Sequence, residues 1–145
     1  MTTFRSLAEV VLTVDDMERA LAFYRDTLGL PLFSPPELPG KFLQVGEHGG
    51  PGGATGVPQQ IVLVPRPESK RRAGADRSER VLHHIGLEVD TNAYDALREK
   101  LAAAGHEIRA GEHPFLAVDA FYVDDPDGNE VEIVRHVASD PPAGC

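Results

Sequence analysis

HIGLEVDT, residues 84–91, has a counterpart earlier in the same chain: EVVLTVDD, residues 9–16. Laid over one another without a gap, Val10 matches Ile85, Leu12 matches Leu87, Val14 matches Val89 and Asp15 matches Asp90. Both alternate as a strand does when one face is buried. Each then runs into a segment with helical spacing. In DDMERALAFYRDTLG the apolar stripe is Met17, Ala20, Leu21, Tyr24 and Leu28; Asp15 stands at the N-cap, Glu18 at capping-box distance and Gly29 at the stop. In TNAYDALREKLAAAG the stripe is Tyr94, Leu97, Leu101 and Ala104, closed by Gly105.

Strand-like segments follow both helices. The first copy has them around Pro31–Phe33, Lys41–Val45 and Gln60–Val64; the second at Glu107–Ala110, Ala117–Asp124 and Glu130–His136. The pattern predicts β-α-β-β-β twice, an α+β chain read as a single domain over 1–145. Its modules are expected at 7–64 and 81–136, with a linker at 65–80 and a tail at 137–145. The linker is dense in charge and turn formers, so a solvated connection is the leading reading. Contact of Lys70, Arg71 and Arg72 with an anionic substrate is the minor one. GEHGGPGGATGVP at 46–58 reads as a hairpin loop, too irregular for a phosphate cradle.

A sheet covered by a helix on one side needs apolar residues on that side. Val10, Leu12 and Val14 meet that need in the first strand, as do Ile85, Leu87 and Val89 in its counterpart. The opposite faces then carry Glu9, His84 and Glu88. In the closing strands Val131 and Ile133 face the helix while Glu130 and Glu132 look away; in the first copy Ile61 and Leu63 face it, leaving Gln60 and Val62 opposite. The turn DPDGN before the last strand uses Pro126 to fix φ and Gly128 to admit a left-handed residue. His83 falls on the helix side at the strand's edge, where bonding to backbone or solvent is the expectation. Carboxylates with an imidazole on one face are a donor set for Mn, Fe, Co, Ni or Zn.

The chain has 145 residues and a formal net charge of −9, which argues against a nucleic-acid partner. No apolar run reaches membrane-spanning length, and MTTFRSLAEV lacks the apolar segment of a signal peptide. The only cysteine is Cys145, so no intrachain disulfide forms; a cytoplasmic protein is expected.

EVVLTVDDMERALAFYRDTLGL, HHIGLEVD and FYVDDPDGNEVEIV resemble the vicinal-oxygen-chelate superfamily, the group of glyoxalase I, bleomycin-resistance proteins and extradiol dioxygenases. The resemblance implies paired βαβββ modules whose mixed sheets curl around a concave site. It implies metal ligands at the first and last strands of each module, here Glu9, Val62, His84 and Glu132. Val62 cannot ligate, and Gln60 shares its face. The implied metal set is therefore Glu9, His84 and Glu132, with Glu132 as base and Glu9 in reserve; Gln60, Val62, Glu88 and Glu130 are expected to line the substrate pocket.

The leading expectation is a glyoxalase-like, metal-dependent lyase, isomerase or epimerase. It would chelate a small oxygenated substrate and move a proton on the adjacent carbon. The alternative is a metal-free small-molecule binding protein of the bleomycin-resistance kind; extradiol dioxygenase chemistry ranks third for want of a second histidine ligand. A homodimer is the expected assembly.

Overall fold

Side-chain burial along Glu9–Val14 alternates as the sequence predicts, with Leu12 and Val14 buried and Glu9, Val11 and Thr13 exposed. The computed structural model describes residues 7–46, 59–67 and 82–137. The loop at 47–58, most of the charged linker with Lys70, Arg71 and Arg72, and residues 138–145 lie outside the described residues. The chain divides into two compact units, Met1–Ala73 and Gly74–Cys145.

In the first unit β1 (Glu9–Val14) leads into α1 (Met17–Leu21), then β2 (Lys41–Gln44) and β3 (Gln60–Pro65). Strand β3 is central, parallel to β1 and antiparallel to β2. The strand expected around Pro31–Phe33 shrinks to a single bridge, Leu32 opposite Leu43. The Phe33 N–H still reaches the Phe42 carbonyl, but the Phe42 N–H is taken by the Ser34 hydroxyl and Pro35 and Pro36 have no N–H to extend the ladder.

Helix α1 starts one residue later than expected. Asp16, not Asp15, is the N-cap, its carboxylate accepting the Arg19 N–H at 3.1 Å. Asp15 instead pairs with Arg66 at 2.8 Å, tying the start of the charged stretch to the first unit. The helix then widens into a π-helical turn over Ala22–Thr27, with the Leu28 N–H reaching back to the Phe23 carbonyl at 2.8 Å. Widening the turn alters which side chains share a face. Phe23 and Tyr24 are both buried, edge to face with ring centroids 4.9 Å apart, whereas Leu21 and Leu28 are only half-buried.

The second unit carries the full module. It runs β4 (Ile85–Glu88), α2 (Tyr94–Ala103), β5 (Arg109–Gly111), β6 (Val118–Asp124) and β7 (Glu130–His136). The sheet order is β4-β7-β6-β5, with β4 parallel to β7 and the other pairs antiparallel. One face packs its apolar residues toward α2: Phe121 lies 5.2 Å from the Tyr94 ring, and Ile85, Val131, Val123 and Ile133 are buried. Arg135 seals the helix to the sheet, its guanidinium 4.3 Å from the Tyr94 ring centroid and paired with Asp95 and Asp119. The two units are therefore sheets of three and four strands with few helices, the α+β class read from the repeat. No helix among the described residues is long and apolar enough to cross a membrane.

The turn between β6 and β7 closes on Asp125, which is only 4% exposed. Its Oδ1 accepts the N–H groups of Asp127 and Asn129 at 3.0 and 2.7 Å, and its Oδ2 accepts the Asn129 amide at 2.9 Å. Gly128 supplies φ +78°. Asp125→Ala strands these donors, and each buried donor left without a partner costs about 1–3 kcal/mol. Urea unfolding monitored by far-UV circular dichroism is expected to show a loss of at least about 2 kcal/mol.

Candidate functional site

The register of the second sheet places Gly86, Glu132, Tyr122 and Arg109 in one row across its four strands. Residues directly opposite in a sheet share a face, and this face is the one turned away from α2. Glu130 opposite Asp124 forms the adjacent row, next to His84 at the approach to β4. A polar surface thus follows from strand alternation alone.

Its contacts are specific. Glu132 is 8% exposed, and its Oε1 accepts the Tyr122 hydroxyl at 3.2 Å. Its Oε2 lies 3.4 Å from His84 Nε2, and the His84 and Tyr122 rings meet edge to face at 5.6 Å. Arg109 Nη2 donates to Asp124 at 2.8 Å and to Glu130 at 3.2 Å. Two glycines leave the space these groups occupy. A Cβ on Gly86 would stand 3.3 Å from Glu132 Oε2, and one on Gly111 would stand 2.7 Å from Tyr122 Cε2.

Proton equilibria follow from these contacts. Partial burial pushes the Tyr122 phenol up, and the Glu132 charge, the hydrogen bond to Glu132 and the Glu130 charge push it further. For Arg109 burial works against the cation, but the bonds and charges of Asp124 and Glu130 overcome it and the guanidinium pKa is raised.

His83 departs from the sequence reading. Strand β4 begins at Ile85, so neither histidine is held in the ladder and strict alternation does not govern the pair. The Nδ1 atoms of His83 and His84 are 2.7 Å apart, with the rings at 74°. Donor atoms of His83, His84 and Glu130 lie within 4.8 Å of one another. Tyr122, Arg109 and His83 are the members of the site that sequence reasoning missed. Extending the alternation into FYVDD would have found Tyr122, since Phe121 and Val123 face the helix.

Glu9 is exposed at the start of β1 and accepts the Gln60 side-chain N–H at 3.0 Å within the first unit. Val62 is buried on β3 and offers no donor, and Glu88 is exposed at the end of β4, opposite Val134. His84, Glu130 and Glu132 are thus gathered in the second unit, and Glu9 with Gln60 in the first.

The donor chemistry fits a divalent ion. Two ligands each about 2.1 Å from a tetrahedral centre stand about 3.4 Å apart, which matches the His84 Nε2–Glu132 Oε2 separation.

The sequence model of the Glyoxalase/Bleomycin resistance protein/Dioxygenase superfamily matches residues 6–133. The chain belongs to this superfamily. Superfamily folds recur among solved structures that this chain resembles. A glyoxalase/dioxygenase from Nostoc punctiforme is 19% identical, with TM-score 0.69, the match covering 94% of each chain. A lactoylglutathione lyase from Agrobacterium tumefaciens is 23% identical, with TM-score 0.64, covering 92% of this chain and 96% of that one. An antibiotic binding protein from Streptomyces is 24% identical, with TM-score 0.61, covering 94% and 100%. At these identities the likeness is one of fold. No curated protein matches the chain.

The superfamily member's Tyr122–Glu132 contact has a measurable sign. Burial disfavours the phenolate, and loss of the proton would also set two anions side by side, so ionisation is delayed beyond the ordinary tyrosine value near 10. Tyrosine ring carbon NMR across alkaline pH is expected to show a late Tyr122 transition that moves to lower pH in Glu132→Gln. Because the folded-state pKa is the raised one, this contact stabilises the fold below the unfolded pKa and is lost as pH climbs through the folded value.

Proposed function

We propose that the protein is a metal-dependent lyase, isomerase or epimerase that moves a proton on a small oxygenated substrate. The observation that carries this reading is the buried Glu132 carboxylate with one oxygen held by Tyr122 and the other turned to His84. His84 and Glu132 are the proposed holders of a divalent ion of the Mn, Fe, Co, Ni or Zn group. When bound, such an ion supplies Lewis acidity toward neighbouring substrate oxygens.

The chain's own contribution is positioning and proton transfer. Tyr122 donates to Glu132 Oε1 and so restricts rotation of the carboxylate, while Gly86 leaves room over it. Limited exposure of Glu132 restricts competing water. The carboxylate then takes a proton from the carbon beside a substrate carbonyl and returns it, general base and acid in turn. Glu88 and Glu130 are proposed to line the substrate's path. A cytoplasmic homodimer acting on small molecules belongs to the same reading.

One observation favours a second reading, metal-free binding of a small molecule: the β3 position corresponding to Glu132 is Val62, which cannot ligate. Deuterium incorporation separates the two. Candidate 2-oxo, 2-hydroxy and thioester compounds are incubated in deuterated water with protein and Mn, Co, Ni or Zn, and read by mass spectrometry. Deuterium is expected at the carbon beside the carbonyl, with Glu132→Gln lowering the exchange rate about 100-fold or more and His84→Ala abolishing metal-dependent exchange. Tight, metal-independent binding of a bulky cationic compound without exchange would decide for the binding protein.

A further inference from the structure

Two imidazole nitrogens 2.7 Å apart share one hydrogen, so of His83 Nδ1 and His84 Nδ1 one donates and the other accepts. In a neutral His84 ring each choice fixes the other side, and an imidazolium would carry a hydrogen on Nε2 as well. If His83 donates, His84 carries its hydrogen on Nε2 and aims an N–H at Glu132. An N–H facing a carboxylate closes to about 2.7–2.9 Å, yet His84 Nε2 stands 3.4 Å from Glu132 Oε2. If His84 donates, Nε2 presents a lone pair toward that carboxylate and the two atoms keep the spacing of ligands around a common ion. Glu132 is held on its other oxygen by Tyr122.

The geometry points to the second arrangement: His83 Nδ1 accepts the Nδ1–H of His84 and thereby keeps His84 Nε2 unprotonated toward Glu132. His83 is a positioning residue, acting through His84, and the inference rests on the reading of His84 as a ligand. His83 is exposed and lies outside the β4 ladder, so packing in the sheet does not account for its place. A ligating histidine is held in one tautomer by a partner on its second nitrogen, and loss of that partner costs about 10–100-fold in metal affinity. Here the partner is the preceding residue in the chain.

The test uses the full chain labelled with ¹⁵N-histidine. Its six histidines are assigned with the aid of His83→Ala and His84→Ala. Long-range ¹H–¹⁵N correlation spectra without metal are expected to show His84 protonated at Nδ1. In His83→Ala it moves to the Nε2–H form. His83→Asn supplies an amide oxygen as replacement acceptor and retains the Nδ1–H form. Calorimetric titration with Zn²⁺ and Co²⁺ is then expected to give affinity about 10–100-fold weaker for His83→Ala and near wild type for His83→Asn. Wild-type His84 protonated at Nε2 would overturn the inference, as would unchanged affinity in His83→Ala. Equal weakening by Ala and Asn would also overturn it, making His83 a ligand itself. A wild-type chain that binds neither ion sinks the metal reading of the preceding section, while the metal-free spectra still decide the tautomer.

Discussion

Strand β7 is hydrogen-bonded on both sides, to β4 in parallel and to β6 antiparallel, and the second unit depends on that double pairing. A strand pinned from two directions cannot slip by one residue without breaking both ladders. Such a slip would send Glu130 and Glu132 into the layer beneath α2 and expel Val131 and Ile133. Burying unpartnered carboxylates while exposing two core side chains is prohibitive. The apolar half of β7 therefore enforces the position of its acidic half, and with it the line from Gly86 through Glu132 and Tyr122 to Arg109.

Much of this was legible because it follows from periodicity. The match of EVVLTVDD to HIGLEVDT exposes the repeat, and alternation gives the faces of Ile85, Leu87, Val131 and Ile133 correctly. The turn at Asp125 and Gly128 is a local matter of side-chain acceptors and one left-handed residue, and it too is written in adjacent positions. His84, Glu130 and Glu132 could be grouped because each stands one residue from a helix-facing apolar neighbour and so belongs to the opposite face.

What resisted reading depends on departures from regular geometry or on contacts distant in sequence. The pairing of His83 with His84 needs a chain that has not yet entered the ladder; counting in twos from Ile85 puts the first ring on the wrong side. Asp15 and Asp16 are equally good caps by type, and the ion pair of Asp15 with Arg66 joins positions too far apart in the chain for local reading to find. The π-helical turn after Leu21 changes which of Phe23, Tyr24 and Leu28 are buried, and a stripe drawn at ordinary helical spacing cannot anticipate it. Arg109 joins the site through Asp124 and Glu130, partners on two other strands.

The empty space at Gly111 ties two distant sequence positions into one unit of volume. The Tyr122 ring fills the place a side chain at 111 would take, so residue 111 cannot gain one while Tyr122 stays as it is. A methyl group at 111 asks for a narrower side chain at 122, and a narrower side chain there removes the hydroxyl that steadies Glu132. In a diverging lineage the route from this site to another chemistry therefore passes through a paired exchange. The edge strand β5, with no side chain of its own at position 111, holds a veto over which residue may face the carboxylate.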